Sequence, residues 1–278
     1  MAIKVIIMDI DGTLVNDEKV ITPLTKETLL KAQDKGVRLV LASGRPTSGL
    51  LKLAEELDME NHHGLFVCFN GSKVVDCQSH ETLYNHAISV EDSKAILEHL
   101  KNFKARPMFD KDEYMYVNDV FDNTITYKGK PFNVMQYESR GNYILCEKRD
   151  LAAFVDFEIN KILTFGDPDY LQAHYKEMME PFKDRLNCMF TSDFYFEFTA
   201  KGVDKAKALD SVLIPMGYKK EEMMAFGDAQ NDKSMVEYVG LGVAMGNASD
   251  ELKAVANEIT DTNNNDGIAK AIMKHIEL

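Results

Sequence analysis

Lys4-Val5-Ile6-Ile7-Met8-Asp9-Ile10-Asp11-Gly12-Thr13 decides how this chain is read. The apolar run before Asp9 is rich in Val and Ile, as in a strand buried on both faces of a parallel sheet. Polar residues follow at once. In open α/β sheets the ligand crevice lies outside the carboxyl ends of the strands, which puts Asp9 and Asp11 at a crevice mouth. Alternate strand residues face the same way, so the two carboxylates are expected on one face, with Ile10 turned back into packing. Gly12 tolerates positive φ and lets the chain leave the strand sharply. Two adjacent acids repel unless one is protonated or a cation sits between them, and a hard cation with oxygen ligands, Mg²⁺, relieves the cost. A surface turn of the Asp-x-Asp-Gly kind is the ordinary alternative, and the rest of the chain must decide.

Outward from this stretch, strands and helices alternate. Thr22-Pro23 reads as a helix N-cap with proline at the first helical position, Leu24 to Lys35 as helix, and Gly36 as its end. Val37 to Ala42 is a second strand, Pro46 to Leu57 a helix, and Leu65 to Phe69 a third strand closed by the turn pair Asn70-Gly71. This βαβαβ order implies right-handed crossovers and a parallel sheet. From about Thr82 the texture changes to short strand-like pieces and two helices, Val90 to Asn102 and Pro168 to Phe182, with most of the aromatic residues. Leu186 to Thr191 and Tyr195 to Thr199 read as an antiparallel pair. From Val203 the alternation resumes, with a helix to Met216, strands Met223 to Phe226 and Leu241 to Ala244, and helices Asn231 to Val239, Ser249 to Ala256 and Ile268 to His275. The expected architecture is an α/β core with a parallel sheet, built from residues 1–82 and 199–278, interrupted by an α+β insert at 83–198.

Composition narrows the function. The net charge of −13 disfavours nonspecific binding to nucleic acid or to anionic membranes. It also means that an anionic substrate would need a local positive site. Cys68, Cys77, Cys146 and Cys188 form no Cys-x-x-Cys pair and no zinc pattern, so free thiols are expected. No apolar run approaches a membrane span, and the first residues read as strand rather than as a signal segment. A cytoplasmic protein is the default expectation, and oligomeric state stays open, a homodimer included.

Three more strand ends carry polar groups. Ser43-Gly44-Arg45-Pro46 follows the second strand. Ser43 offers a hydroxyl at the strand tip, and the next helix start favours an anion, although a capping serine in an ordinary turn reads the same way. Gly227-Asp228-Ala229-Gln230-Asn231-Asp232 sets two carboxylates four apart beside a glycine, which favours a metal site over a simple helix cap. Lys201, Lys205 and Lys207 lie just before the returning helix. One lysine turned into the crevice would supply the missing positive charge; the others read as a solvated helix start.

Together these residues resemble the haloacid dehalogenase-like phosphohydrolase superfamily. Asp9-x-Asp11-Gly12-Thr13 is similar to its first motif, Ser43 to its second, a lysine to its third, and Gly227-Asp228-x-x-Asn231-Asp232 to its fourth, in family order. The insert between the second and third motifs resembles the type IIB cap of Cof-like sugar phosphatases. Thr22-Pro23, Ala42-Ser43-Gly44-Arg45-Pro46, Asn70-Gly71 and Ala244-Met245-Gly246-Asn247-Ala248 also resemble that subgroup. The subgroup usually shows Gly-Val-Ser-Lys-Gly at the third motif. Here Gly202-Val203-Asp204-Lys205-Ala206 makes Lys205 the match and Lys201-Gly202 a decoy.

The resemblance implies a Rossmann-like core with an inserted type IIB cap and a Mg²⁺-dependent phosphatase acting on small phosphorylated metabolites, sugar phosphates foremost. It implies Asp9 as nucleophile through an aspartyl-phosphate and Asp11 as general acid and base. Mg²⁺ is then expected on the Asp9 carboxylate, the Asp11 backbone carbonyl and Asp228, with Asp232 bound directly or through water. Gly12, Thr13, Ser43, Gly44, Arg45, Asn70, Lys205 and Asn231 are expected to hold substrate, and the cap to close during the first step. Two rivals keep the fold: a sugar phosphomutase, and a phosphometabolite-binding regulator without catalysis, which would have no need of Asp11.

Overall fold

The computed structural model of the chain describes residues 2–139 and 144–278. These form two compact units, one of residues up to Asn85 together with Asp204–Leu278, the other His86–Val203. The divisions at 85/86 and 203/204 fall slightly beyond the 82/83 and 198/199 read from sequence. Two strands not bounded correctly by pattern, one ending at Asn85 and one at Ala200, account for the difference.

The first unit opens with β1 (Val5–Met8), α1 (Pro23–Asp34), β2 (Arg38–Ala42), α2 (Leu51–Glu56), β3 (Leu65–Cys68), β4 (Lys73–Asp76) and β5 (Thr82–Asn85). The second follows with α3 (Val90–Leu100), β6 (Arg106–Lys111), β7 (Tyr114–Val117), β8 (Thr124–Tyr127), β9 (Lys130–Asn133), α4 (Val134–Ser139), β10 (Ile144–Glu147), α5 (Leu151–Phe154), β11 (Lys161–Phe165), α6 (Pro168–Met179), β12 (Leu186–Ser192) and β13 (Tyr195–Ala200). The chain then returns to the first unit with α7 (Lys205–Leu213), β14 (Met223–Gly227), α8 (Lys233–Tyr238), β15 (Leu241–Ala244), α9 (Asp250–Lys253), β16 (Glu258–Ile259) and α10 (Gly267–His275).

The first unit's sheet runs β16-β15-β14-β1-β2-β3-β4-β5. It is parallel from β16 to β3, and β4 and β5 extend it as an antiparallel edge. All of Val5–Met8 is buried because both faces of β1 are covered. Ile6 and Met8 pack with Leu29 and Ala32 of α1 and with Ile268 and Ile272 of α10. Val5 and Ile7 pack on the other side with Leu209 and Leu213 of α7 and with Met235 of α8. This is the reason the strand reads as an unbroken apolar run.

Local chemistry trims the expected elements. Helix α7 begins at Lys205 rather than Val203, because the Asp204 side chain caps it by accepting from Lys207 N. The segment after Pro46 starts as a 3-10 turn, Thr47–Gly49, before α2. The strand expected to reach Phe69 stops at Cys68, since Phe69 and Asn70 both take left-handed backbone at φ 51 and 57. There the chain turns back into β4, a strand the sequence pattern did not show. Gly71, at φ 101, leaves no space for a side chain, because a β-carbon would lie 2.3 Å from the Asp204 carbonyl oxygen.

The second unit's main sheet runs β10-β7-β6-β11-β13-β12, with β8 and β9 as a separate hairpin. One face carries Phe109, Ile162, Phe196 and Phe198 against α3, α5 and α6. The other carries Met108, Met115, Leu163 and Phe165 against Ile125 of β8 and Val134 and Met135 of α4. Strands β8 to β10 and helices α4 and α5 were not foreseen, being four to six residues long and only partly apolar.

Glu197 of β13 lies opposite Leu163 and Met189 on that second face and is only 5% exposed. Burial raises its carboxyl pKa; the Lys161 charge opposes this without cancelling it, and Glu138 adds to it. The folded pKa therefore exceeds the unfolded one, and this group makes the protein less stable as pH rises through that window. Glu197→Gln should remove this group's share of the fall in melting temperature between pH 4 and pH 8, whatever the substitution costs the buried Lys161 that its charge supports. Thermal melts of both proteins at the two pH values check this.

Candidate active site

Strand β1 delivers Asp9. Its N–H donates to the Phe226 carbonyl of β14 at 3.1 Å, extending the ladder by one residue. The chain then folds on itself, with Thr13 N and Val15 N donating to Ile10 O and Leu14 N donating to Asp9 O. Asp11 therefore sits on a turn, and the strand-face argument that placed it beside Asp9 does not hold. The side chains have opposite surroundings: that of Asp9 is buried, that of Asp11 is 44% exposed and paired with Arg45 and Lys19.

The acids that crowd Asp9 come from the other end of the chain. One carboxylate oxygen each of Asp9, Asp228 and Asp232 lie within 4.8 Å of one another. Between two of them stands Lys205, the first residue of α7, with its side chain fully buried. Its ammonium donates to Asp9 Oδ1 at 2.7 Å, Asp232 Oδ1 at 2.6 Å and the Ala42 carbonyl at 2.8 Å, so all three of its N–H groups are engaged. Lys201 points elsewhere, to the Asp184 carbonyl at 2.8 Å, and Lys207 is exposed.

Each remaining side chain has a definable task. Asp232 accepts the N–H groups of Asp228 and Ala229 on Oδ2, at 3.0 and 3.1 Å, and so shapes the loop that carries Asp228. The Thr13 hydroxyl donates to Asp228 Oδ1 at 2.7 Å. A β-carbon on Gly12 would fall 2.4 Å from Asp228 Oδ2, so only glycine lets this carboxylate approach the turn. Ser43, at the end of β2, is buried; its Oγ accepts from Arg45 N at 3.2 Å and its carbonyl from Asn70 N at 2.9 Å. A β-carbon on Gly44 would come within 3.2 Å of the Asn70 amide, and Asn231 Nδ2 donates to Asn70 Oδ1 at 3.1 Å. Three loops are thereby tied together.

Charge follows burial. Burial pushes Asp9 up to about 7; Lys205 pulls it down, while Asp232 and Asp228 push it up. Asp228 is raised too, chiefly by burial, with the Thr13 hydrogen bond opposing and Asp232 adding. Burial also works against the charge on Lys205, yet Asp9 and Asp232 hold its pKa above the usual value. Partial burial raises Asp11, but the Lys19 hydrogen bond and the Arg45 charge outweigh it and hold it low.

Asp9 Oδ2 and Asp228 Oδ2 make no hydrogen bond among the described residues. Two raised carboxylates within an all-oxygen cluster fit a hard divalent cation such as Mg²⁺. Both Asp232 oxygens already accept hydrogen bonds from the chain, and the residue remains part of the same oxygen cluster.

Sequence reasoning missed Asn247, Asn263 and Lys19. Asn247 Nδ2 donates to the Gly12 carbonyl at 2.8 Å and its Oδ1 accepts from Asn263 N; Asn263 Nδ2 reaches the Val15 carbonyl at 3.0 Å. These brace the turn after β1 from more than two hundred residues away. Asn247 lay within a family-like stretch without an assigned task; no motif or periodic pattern singled out Asn263.

The buried lysine gives a direct stability test. Lys205→Met leaves Asp9 and Asp232 buried without their counter-charge, and loss of one partner of such a pair costs about 3–5 kcal/mol. Urea denaturation at pH 7 should show that loss. The deficit should shrink as the pH falls and the orphaned carboxylates take up protons.

A family model described as haloacid dehalogenase-like hydrolase matches residues 6–272. The chain is 33% identical to the 5-amino-6-(5-phospho-D-ribitylamino)uracil phosphatase YcsE of Bacillus subtilis, over 97% of this chain and 94% of that protein. A haloacid dehalogenase-like hydrolase from Bacteroides thetaiotaomicron of known structure superposes with a TM-score of 0.90 at 32% identity, covering 99% of this chain and 100% of the other. The subclass IIB sugar phosphatase BT4131 superposes with a TM-score of 0.75 at 27% identity, covering 98% of each chain. The α/β core, the inserted unit and these likenesses agree: the chain belongs to the haloacid dehalogenase-like hydrolase family and is a phosphatase within it.

Proposed function

We propose that the protein hydrolyses phosphate monoesters of small metabolites, sugar phosphates among them, through an aspartyl-phosphate on Asp9. The observation that carries this reading is the asymmetry of the Asp9 carboxylate: Oδ1 is fixed by Lys205, and Oδ2 is unengaged beside Asp228. A carboxylate held by one oxygen and open at the other is placed to attack phosphorus. When bound, Mg²⁺ would be held by Asp9, Asp228 and the Asp11 carbonyl, and would supply charge neutralisation of the phosphoryl oxygens.

The chain's own residues do the rest. Lys205 keeps Asp9 ionised and lends its charge to the phosphoryl group. Ser43 and the amides of Gly12 and Gly44 donate to phosphoryl oxygens, and Asn70, Asn231 and Arg45 border them. The Thr13 hydroxyl, already given to Asp228, acts by holding that carboxylate. Asp11 gives a proton to the departing alkoxide and then takes one from the water that cleaves the acyl phosphate. Its side chain is not assigned to the metal, which takes only the backbone carbonyl, and is held instead by Arg45 and Lys19. Related phosphatases differ in the organic group they release, a ribitylaminouracil in one and a sugar in another, which supports a phosphate-centred site with its selectivity elsewhere.

Asp9→Asn should keep the fold and abolish phosphate release at saturating Mg²⁺, measured on a panel of metabolite phosphates; turnover near that of the native protein refutes the nucleophile. Asp11→Asn should slow alkyl phosphates far more than aryl phosphates, because a poor leaving group depends more on proton donation. Equal losses on both ester types would count against Asp11 as the acid.

A further inference from the structure

The Asp11 carboxylate accepts three N–H donors from two cationic side chains. Arg45 Nε donates to Oδ2 at 2.9 Å and Nη2 to Oδ1 at 2.8 Å, a bidentate pair. Lys19 Nζ donates to Oδ1 at 2.9 Å from a left-handed backbone position, φ 62, in a loop closed by the Asn16 side chain. Held this way, both carboxylate oxygens face a cation, yet the role assigned to Asp11 requires one of them to carry a proton to a leaving oxygen. Something in the clamp has to move.

The two cations are not equivalent. The Arg45 backbone is fastened at the phosphoryl end of the site: its N–H donates to Ser43 Oγ at 3.2 Å and its carbonyl accepts from Phe69 N at 3.0 Å. Its guanidinium fork suits two phosphoryl oxygens as well as it suits a carboxylate. The Arg45 and Asp11 side chains are 33% and 44% exposed, and an ion pair that open to water is weak enough to trade. Lys205, by contrast, is fully buried and cannot change partners. Lys19 is attached to the loop after β1 and has no tie to Ser43.

We infer that Arg45 is a positioning residue that changes partner during turnover, holding Asp11 in the empty site and passing to the phosphoryl oxygens when substrate arrives. Asp11 is then left on Lys19 alone, with one oxygen released toward the leaving group. No bond is made or broken in the exchange; one set of N–H···O contacts replaces another. The inference rests on the proposed roles of Asp9 and Asp11.

Inorganic phosphate, the reaction product, is the probe. Its competitive inhibition constant is measured on the full chain with Mg²⁺, against p-nitrophenyl phosphate, for the native protein and for Arg45→Gln, Arg45→Lys and Lys19→Gln. The exchange predicts that Arg45→Gln raises this constant by about tenfold or more, the worth of a lost charge-assisted contact. KM should rise with it, kcat should fall by less than KM rises, and Arg45→Lys should lie between, keeping the charge without the fork. Lys19→Gln should leave the constant within about twofold, since an exposed charge that keeps its partner contributes little. An unchanged constant in Arg45→Gln overturns the exchange, and so does an equal rise in Lys19→Gln, which would mark a general loss of positive potential. Thermal melts establish that each variant is folded, and Arg45→Lys carries the comparison should Arg45→Gln not fold. Asp9→Asn separates the two readings: phosphate release by that variant removes the proposed mechanism whatever Arg45 does, whereas an inactive Asp9→Asn with an unmoved Arg45→Gln removes only the exchange.

Discussion

The Lys205 ammonium is the contact on which the rest depends. It lies out of water with its three N–H groups on Asp9, Asp232 and the Ala42 carbonyl, joining the ends of β1 and β2 to the loop after β14. A lone buried cation is untenable, and so are two buried carboxylates without one. Each of the three charges therefore requires the others. The sheet register brings β1 between β14 and β2, and helix α7 begins at the residue whose side chain completes the set.

From this constraint the division of labour follows. Asp232 holds Lys205 and two loop amides and so shapes the loop from within the cluster. Asp228, steadied by Thr13 and admitted by the missing β-carbon of Gly12, remains half open. Asp9 is held at one oxygen and available at the other. The net charge of −13 is no obstacle to an anionic substrate under this arrangement, because the positive groups that matter sit where the bulk field is weakest in comparison, within a few ångströms of the reacting atoms.

Much of this was legible because strand ends are where local pattern and chemistry coincide. Val5–Met8, Val37 to Ala42 and Met223 to Phe226 are apolar runs that stop abruptly at Asp9, Ser43 and Gly227-Asp228, and such a stop marks the edge of a sheet. Lys205 was separable from Lys201 by its motif-like neighbours, and the structure gives the reason in Asp204, which caps the helix one residue earlier. What failed was turn chemistry and long-range bracing. The strand rule was extended one step too far, to Asp11, because nothing in the sequence announces that Leu14 N returns to Asp9 O. Asn263 lies outside every motif, since a hydrogen bond to a carbonyl 248 positions away leaves no periodic trace, and so does Lys19 in the loop after β1. Strands β4, β8 and β9, of four residues each, are too short for a period-two pattern to rise above their turns.

The interruption of the core by the inserted unit has a consequence for the order of events at the ribosome. β1 is made before its β14 neighbour, which begins at Met223, and before Lys205, the counter-ion of Asp9, so one edge of β1 and the Asp9 carboxylate must wait while the whole second unit is synthesised. An unpaired apolar strand is a liability during that interval. The inserted unit, whose residues are contiguous and carry their own core, can fold first, and the catalytic sheet can close only when Lys205 and β14 have been made. A nascent chain halted before Lys205 would therefore hold a folded passenger beside an unfinished enzyme.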